Sequence, residues 1–362
     1  MSTTEKEIVD LVCGLINPVS GMPFSESGEK ISASIEGNNA VVNLQLGYPA
    51  ATQMKDLEAL IKDGVLKLSE FNDCGVNIEK SIAAHQVQSG LKLLPNVKNV
   101  IAVASGKGGV GKSTTTSNLA LALASEGATV GILDADIYGP SQQMMMGLSG
   151  KPESPDGKSI KPFRNHGVQT MSIGTLVDVD QPMVWRGPMV TQALEQLLRD
   201  TAWDDVDYLL IDLPPGTGDI QLTLAQKVPL TGAVIVTTPQ DIALLDAKKA
   251  LKMFEKVNVP ILGIIENMSV HVCSNCGHAE RIFGEGGAEK MSAQYGVDML
   301  GALPLDISIR QQLDVGIPTL VSEPLGEISE TFRAIARKVG VRVAQTKKNY
   351  SSVFPKIRVE NS

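Results

Sequence analysis

Residues 100–116 read VIAVASGKGGVGKSTTT. The run opens on Val100, Ile101, Ala102, Val103 and Ala104, short, apolar and rich in β-branched side chains, which is the pattern of a buried strand. Gly106, Lys107, Gly108, Gly109, Val110, Gly111, Lys112 and Ser113 follow and fit G-x-x-x-x-G-K-[ST], the phosphate-binding P-loop. Glycines let the backbone take turns that a Cβ forbids, so amide N–H groups converge on phosphate oxygens. Ser113 opens a helix running to about Glu126, and the positive end of its dipole favours an anion. Lys112 places a cation at the β- and γ-phosphates, and the Ser113 hydroxyl is a ligand for Mg²⁺. Thr114, in the same first turn, completes the nucleotide-binding set. The bland alternative is a glycine-rich turn with no ligand, which the strand before and the helix after disfavour.

The loop carries a second lysine, Lys107, directly after its first glycine. GKGGVGKS resembles the deviant Walker-A ATPases, the group of MinD, ParA and the nitrogenase iron protein. That resemblance implies that Lys107 crosses a dimer interface to the partner's nucleotide; by itself, Lys107 also reads as a solvated loop lysine.

Outward from this stretch, 362 residues point to two domains, one large and one small. A hydrophobic content of 43% supplies a core, and a charged content of 20% is ordinary for a soluble protein. A net charge of −8 and a pI near 5.2 argue against a general nucleic-acid coat, which needs clustered Lys and Arg. The start, MSTTEKEIVD, shows no signal-peptide pattern, and no apolar run reaches membrane-spanning length. Four cysteines in so long a chain form no disulfide framework. A reduced, cytoplasmic protein with no membrane or nucleic-acid partner is the expectation.

Residues 1–83 read as a small α+β domain. Ile8, Leu11, Val12, Leu15 and Ile16 make a helical face, and Ile31, Ala33 and Ile35 alternate, as do Val42, Leu44 and Leu46 across the turn at Gly37-Asn38-Asn39. A helix at Leu57, Leu60 and Ile61 and a strand at 76–82 follow. The domain resembles the MIP18-like (DUF59) module. Some members carry a reactive cysteine after the second strand, where this chain reads LGYPAATQ. Cys13 and Cys74 read as small buried hydrophobes, and the domain as a partner-binding or regulatory module. Residues 84–98 form a linker, 99–345 the P-loop domain, and 346–362 a polar tail without the apolar face of a membrane-binding helix.

In the P-loop domain a buried strand at 129–133 runs into Asp134-Ala135-Asp136, at the strand end where open α/β sheets bind ligands. Asp136 is the candidate for orienting the attacking water near Mg²⁺, and Asp134 reads equally as a strand-end cap. Residues 143–165 form a loop insertion, whose Met144, Met145 and Met146 suit either an adaptable contact surface or the core. A strand is expected at 167–173, and Trp185-Arg186-Gly187-Pro188 precedes a helix running to about Arg199. The strand at 206–212 ends in Asp212 before LPPGTGD, a Walker-B and switch arrangement: Asp212 holds Mg²⁺ through water, and Gly216 approaches the γ-phosphate. Further strands at 233–237 and 261–265 flank a helix at 242–257. This βαβα alternation predicts a mostly parallel sheet with helices on both faces. In the deviant Walker-A group an Asn at the end of the last of these strands reads adenine, which implies that role for Asn267; its alternative is a polar strand terminator.

Cys273-Ser274-Asn275-Cys276, flanked by His271 and His278, puts two thiolates on one tight turn. Three readings stand: a zinc knuckle, which normally draws on a second pair; a redox pair, which should open a helix; or half of an iron–sulfur site, which wants four thiolates. A symmetric dimer would supply the missing two. GKGGVGKS, DADIYGPS, WRGP, DLPPGTGD and the segment from Met268 to Gly287 occur in order, and together they resemble the Mrp/ApbC iron–sulfur cluster carriers over roughly residues 98–340. The resemblance implies a slow MgATPase that works as a homodimer, holds a bridging cluster of [4Fe–4S] type on Cys273 and Cys276 of both subunits, takes it from donor proteins and passes it to apoproteins. A ParA/MinD-like positioning ATPase and a zinc-stabilised nucleotide-dependent regulator are the alternatives.

Overall fold

The computed structural model describes residues 3–68, 71–175 and 187–347. Trp185, Arg186 and the tail from 348 onward lie outside them.

The first domain is α1 (Glu5–Gly14), β1 (Lys30–Glu36), β2 (Asn39–Leu46), α2 (Met54–Leu66) and β3 (Asp73–Lys80). Thr4 starts α1 with a capping box: its side chain accepts from the Glu7 amide, while the Glu7 carboxylate accepts from the Thr4 amide. β1 and β2 form the expected hairpin, and β3 joins β2 in parallel. The core of this domain also contains Val341 and Ala344, from the far end of the chain.

The second domain runs β4 (Val97–Ala104), α3 (Lys112–Ser125), β5 (Val130–Asp134), α4 (Gln142–Met145), β6 (Phe163–Asn165), β7 (Val168–Ser172), α5 (Gly187–Asp200), β8 (Val206–Asp212), α6 (Asp219–Lys227), β9 (Gly232–Thr237), α7 (Asp241–Lys256), β10 (Ile261–Glu266), β11 (His271–Val272), β12 (Ala279–Glu280), α8 (Gly287–Tyr295), β13 (Met299–Ala302), α9 (Ile307–Asp314), α10 (Thr319–Ser322) and α11 (Glu327–Ala344). The large sheet has the order β13-β10-β9-β4-β8-β5-β7-β6, parallel throughout except for β6, which pairs antiparallel with β7. Every residue of β5, β8 and β9 is buried, which explains why these strands read as unbroken apolar runs. Separate apolar clusters fill the two faces, one under α5, α6 and α7, the other under α3 and α11.

This order sets β4, β8 and β5 side by side, so the loop after β4, Asp212 and Asp134 leave the sheet at the same edge. The insertion at 143–165 is not all loop: α4 overlaps its start and β6 sits near its end. The 84–98 segment is pinned at several points. His85 is buried, and Gln88 donates to the carbonyls of Ala225 (2.8 Å) and Val228 (3.2 Å) and accepts from the Leu230 amide (2.8 Å). Thr52, of the first domain, meets a buried ion pair of the second, Glu126 with Arg337. Glu126, capping the end of α3, accepts from the Thr52 amide (2.9 Å), the Thr52 hydroxyl (2.6 Å) and Arg337 (2.6 Å). Removing one partner of such a pair costs about 3–5 kcal/mol.

Candidate functional site

The P-loop leaves β4 and enters α3 through Gly109 (φ +79°) and Gly111 (φ +81°), a left-handed conformation that side chains rarely adopt. Gly106 is needed for a different reason: a Cβ there would lie 2.1 Å from the backbone of Asp246 on α7. Behind the loop, Ser105 donates to the Lys107 carbonyl (2.8 Å), and the Gly216 amide donates to the Ser105 carbonyl (3.0 Å). The DLPPGTGD segment is thereby tied to the residue that leads into the P-loop.

Lys112 is 6% exposed and its ammonium bonds Asp212, with the Ser113 hydroxyl at 3.2 Å and Asp136 at 3.9 Å. Asp212 is fully buried and also accepts from Thr116 (3.2 Å) and Gln142 (2.9 Å). Burial holds the Asp136 carboxyl above the usual carboxylate range, against a partial opposing pull from Lys112. Burial first and the neighbouring Asp212 second push the Asp134 carboxyl up, while the amides of Gln142 and Asp136 and the Lys112 charge hold it down. Its oxygens accept from the amides of Asp136 (3.1 Å), Ser141 (2.9 Å) and Gln142 (3.0 Å), so the strand-end cap is the reading that the geometry supports for it. A hydroxyl, two carboxylates and a lysine beside a glycine loop that opens a helix fit MgATP: oxygen donors suit Mg²⁺, and the helix start and Lys112 suit phosphate. Lys107 is half-buried, and among the described residues its ammonium makes no hydrogen bond or ion pair.

Asn267 lies 6% exposed against the P-loop, its side-chain amide donating to the Val110 carbonyl at 2.9 Å. Together with Gly111, Thr114, Leu305, Asp306 and Arg310 it lines a cavity of about 290 Å³ beside the start of α3. Met144 is exposed while Met146 is fully buried, so the methionine triplet serves surface and core at once.

The chain from Asn267 to Cys273 is fastened at three points. The Ser269 amide and hydroxyl both donate to the Leu303 carbonyl (2.9 Å each), the Leu305 amide donates to the Val270 carbonyl (2.8 Å), and the His271 imidazole Nδ1 sits 3.0 Å from the Leu305 carbonyl. β11 and β12 then form a two-residue-per-strand hairpin whose tip is Cys273–His278, closed by the Cys273 amide on the His278 carbonyl (2.9 Å). Cys276 is exposed and Cys273 half-exposed. The backbone N–H groups of Cys276 and Asn275, then the Cys276 thiol, hold the Cys273 thiol below the ordinary thiol range. Among the described residues, no three His, Cys, Asp or Glu side chains are gathered to hold a metal, and a tetrahedral thiolate set would need two ligands beyond this pair. No helix opens at Cys273, which removes the structural basis of the redox-pair reading.

Sequence reasoning missed α6, hidden behind the glycines of LPPGTGD, and Gln142, which bridges Asp212 and the Ser113 carbonyl (3.0 Å). A glutamine after a DxD loop carries no pattern of its own.

Residues 96–340 match the family model described as ParA, NUBPL iron-transfer P-loop NTPase. An iron–sulfur cluster carrier protein of Pseudomonas fragi is 58% identical over 279 residues, covering 76% of this chain and 97% of its own. A nucleotide-binding protein of Archaeoglobus fulgidus, solved in complex with ADP, superposes with a TM-score of 0.57 at 39% identity, covering 66% of this chain and 93% of its own. The cell-division ATPase MinD of Pyrococcus furiosus superposes at 0.50 with 24% identity, covering 67% and 98%, and so shares the fold. With the P-loop, the two carboxylates and the CxxC hairpin in one chain, this protein belongs to the NUBPL-type family of iron-transfer P-loop NTPases.

Proposed function

We propose that the protein is a homodimeric, ATP-dependent iron–sulfur cluster carrier, and that one cluster of [4Fe–4S] type is held between Cys273 and Cys276 of two copies. The observation that carries this reading is the rooting of the cysteine hairpin in the nucleotide site. Asn267, six residues before Cys273, is bonded to the P-loop at Val110, and the segment between them is tied to Leu303 and Leu305, beside the cavity of about 290 Å³. Two thiols per chain match half of a four-thiolate ligand set.

In this reading bound MgATP supplies the electrophilic γ-phosphoryl group, and the chain supplies placement and charge. The P-loop amides of residues 106–114 and Lys112 bind the phosphates. Ser113 and, through water, Asp212 hold the Mg²⁺, and Asp136 orients the attacking water beside it. Lys107 reaches the partner's nucleotide, and Asn267 reads the adenine from the cavity it lines. Recruiting Asn267 to a base competes with its bond to Val110. Nucleotide state thereby biases the segment leading to Cys273 and couples hydrolysis to loading or release of cluster. Apo iron–sulfur proteins are the acceptors, other cluster proteins the donors, and the cytoplasm the setting. Among the described residues, no helix is long and apolar enough to cross a membrane.

The test is transfer. Protein reconstituted anaerobically with iron and sulfide is mixed with an apo four-iron enzyme, and recovery of that enzyme's activity is followed with MgATP, with MgADP and without nucleotide. Faster recovery with MgATP supports the coupling; equal rates in all three contradict it. Stoichiometric zinc in anaerobically purified protein, without iron or labile sulfide, would overturn the carrier reading itself.

A further inference from the structure

Asp134 spends a fully buried carboxylate on a turn that an uncharged side chain could cap. What the carboxylate adds is acceptance at both oxygens. Oδ1 takes the Asp136 amide at 3.1 Å, at the start of the loop between β5 and α4. Oδ2 takes the amides of Ser141 at 2.9 Å and Gln142 at 3.0 Å, at the end of that loop. Oδ2 also takes the hydroxyl of Ser172 at 3.1 Å. Ser172 is the last residue of the neighbouring strand β7, and its hydroxyl in turn accepts from the Gly174 amide at 3.1 Å. One rigid strand thus braces the carboxylate that closes the loop.

The loop so closed carries groups that meet the Mg²⁺ carboxylates. Asp136, near its start, lies 3.9 Å from Lys112. Gln142, at its end, donates to Asp212 Oδ2 at 2.9 Å and to the Ser113 carbonyl at 3.0 Å, and accepts from Ser117 at 2.7 Å. Asp134 is enclosed by its own donors, and Ser172 is fully buried one strand further out.

We propose that Asp134, braced by Ser172, is a positioning residue for ATP hydrolysis, setting Asp136 against Lys112 and Gln142 against Asp212. The proposal rests on reading Asp136 and Asp212 as the Mg²⁺-site carboxylates. An asparagine at 134 can accept at one oxygen; its NH₂ would face either the Asp136 amide or the Ser141 and Gln142 amides, donor against donor, and the loop would open at that end.

Ser172→Ala, Ser172→Thr, Asp134→Asn and Asp136→Ala test this in the full chain. Three readouts are taken: kcat and KM for ATP, the Mg²⁺ concentration for half-maximal rate, and the affinity for a fluorescent ADP with and without Mg²⁺. Active sites are counted by nucleotide titration. Ser172→Ala should lower kcat per active site about tenfold and raise the Mg²⁺ requirement, with metal-free ADP affinity unchanged. Ser172→Thr, which restores the hydroxyl, should recover most of the loss, and Asp134→Asn should exceed Ser172→Ala. If Asp134→Asn fails to fold, the Ser172 pair still decides. Wild-type kcat and Mg²⁺ dependence per active site in Ser172→Ala, beside an inactive Asp136→Ala, would overturn this inference and leave the site reading standing. A fully active Asp136→Ala would overturn the site reading, and this inference with it.

Discussion

Lys112 and Cys276 stand at opposite extremes of finish. Lys112 is 6% exposed and faces Asp212, Asp136 and Ser113, all supplied by its own chain, with Asp212 held in turn by Thr116 and Gln142. Cys276 is exposed on a hairpin with two residues in each strand, its one thiol neighbour being Cys273. The phosphate end of the sheet is preorganised by backbone, glycine conformation and buried charge. The cysteine end offers half a ligand set on a projecting tip, rooted in the first end through Asn267. In the proposed reading, the contrast separates a site whose Mg²⁺ and phosphate groups come from one chain from a ligand set that two chains complete.

The largest expected effect falls on the finished site. Lys112→Ala removes the cation beside the phosphates and should lower the ATPase kcat by about a hundredfold or more. Cluster binding to the same variant should persist, because the thiols lie elsewhere; a normal rate of hydrolysis would contradict the site.

Next comes the unfinished one. Cys273→Ala or Cys276→Ala removes two of four ligands from a dimer, so either should abolish a stable cluster, while Cys13→Ala and Cys74→Ala keep it. Iron, labile sulfide and visible absorbance after anaerobic reconstitution report the outcome. ATP hydrolysis should continue in all four variants, and its loss in the Cys273 or Cys276 variant would erase the contrast drawn above.

A smaller, partial effect tests whether the finished site also borrows from the partner. When Lys107→Ala and Asp136→Ala subunits exchange freely, half the dimers are mixed, and each mixed dimer has one intact composite site. About a quarter of wild-type activity should return. No recovery despite demonstrated exchange would leave Lys107 a surface lysine.

The smallest effect sharpens the picture of the thiols. Backbone N–H groups turned toward Cys273 lower its pKa, whereas burial raises that of Cys74. A lowered pKa means that thiolate is present at lower pH. The alkylation rate of Cys273 should therefore rise with pH through a midpoint below that of an ordinary thiol, while Cys74 reacts later and more slowly. Peptide mass mapping across a pH series checks the order.

The parallel sheet, the P-loop, Asp212 and the cysteine pair were legible in the sequence because each has a local signature: buried apolar runs, glycine spacing, a strand-terminal carboxylate, C-x-x-C. What escaped it depends on contacts between distant segments. Val341 and Ala344 complete the core of the first domain from the other end of the chain, and Thr52 meets Glu126 and Arg337 across the domain boundary. No periodicity marks such positions, since each looks like an ordinary residue of its own helix or turn. Pattern singles out Asp136 for the water but leaves Asp134 open, because Asp134 ends β5 just before the loop; three backbone donors identify it as the cap.

The central claim, that the cysteine site is completed by a second copy, is tested most directly by native mass spectrometry of anaerobically reconstituted protein, which reads subunit number and cluster content on the same particle. The account predicts that cluster travels with the dimer, about four irons and four sulfides per two chains, and that Cys276→Ala leaves no species bearing cluster. A complete four-iron cluster retained on a single wild-type chain would contradict it.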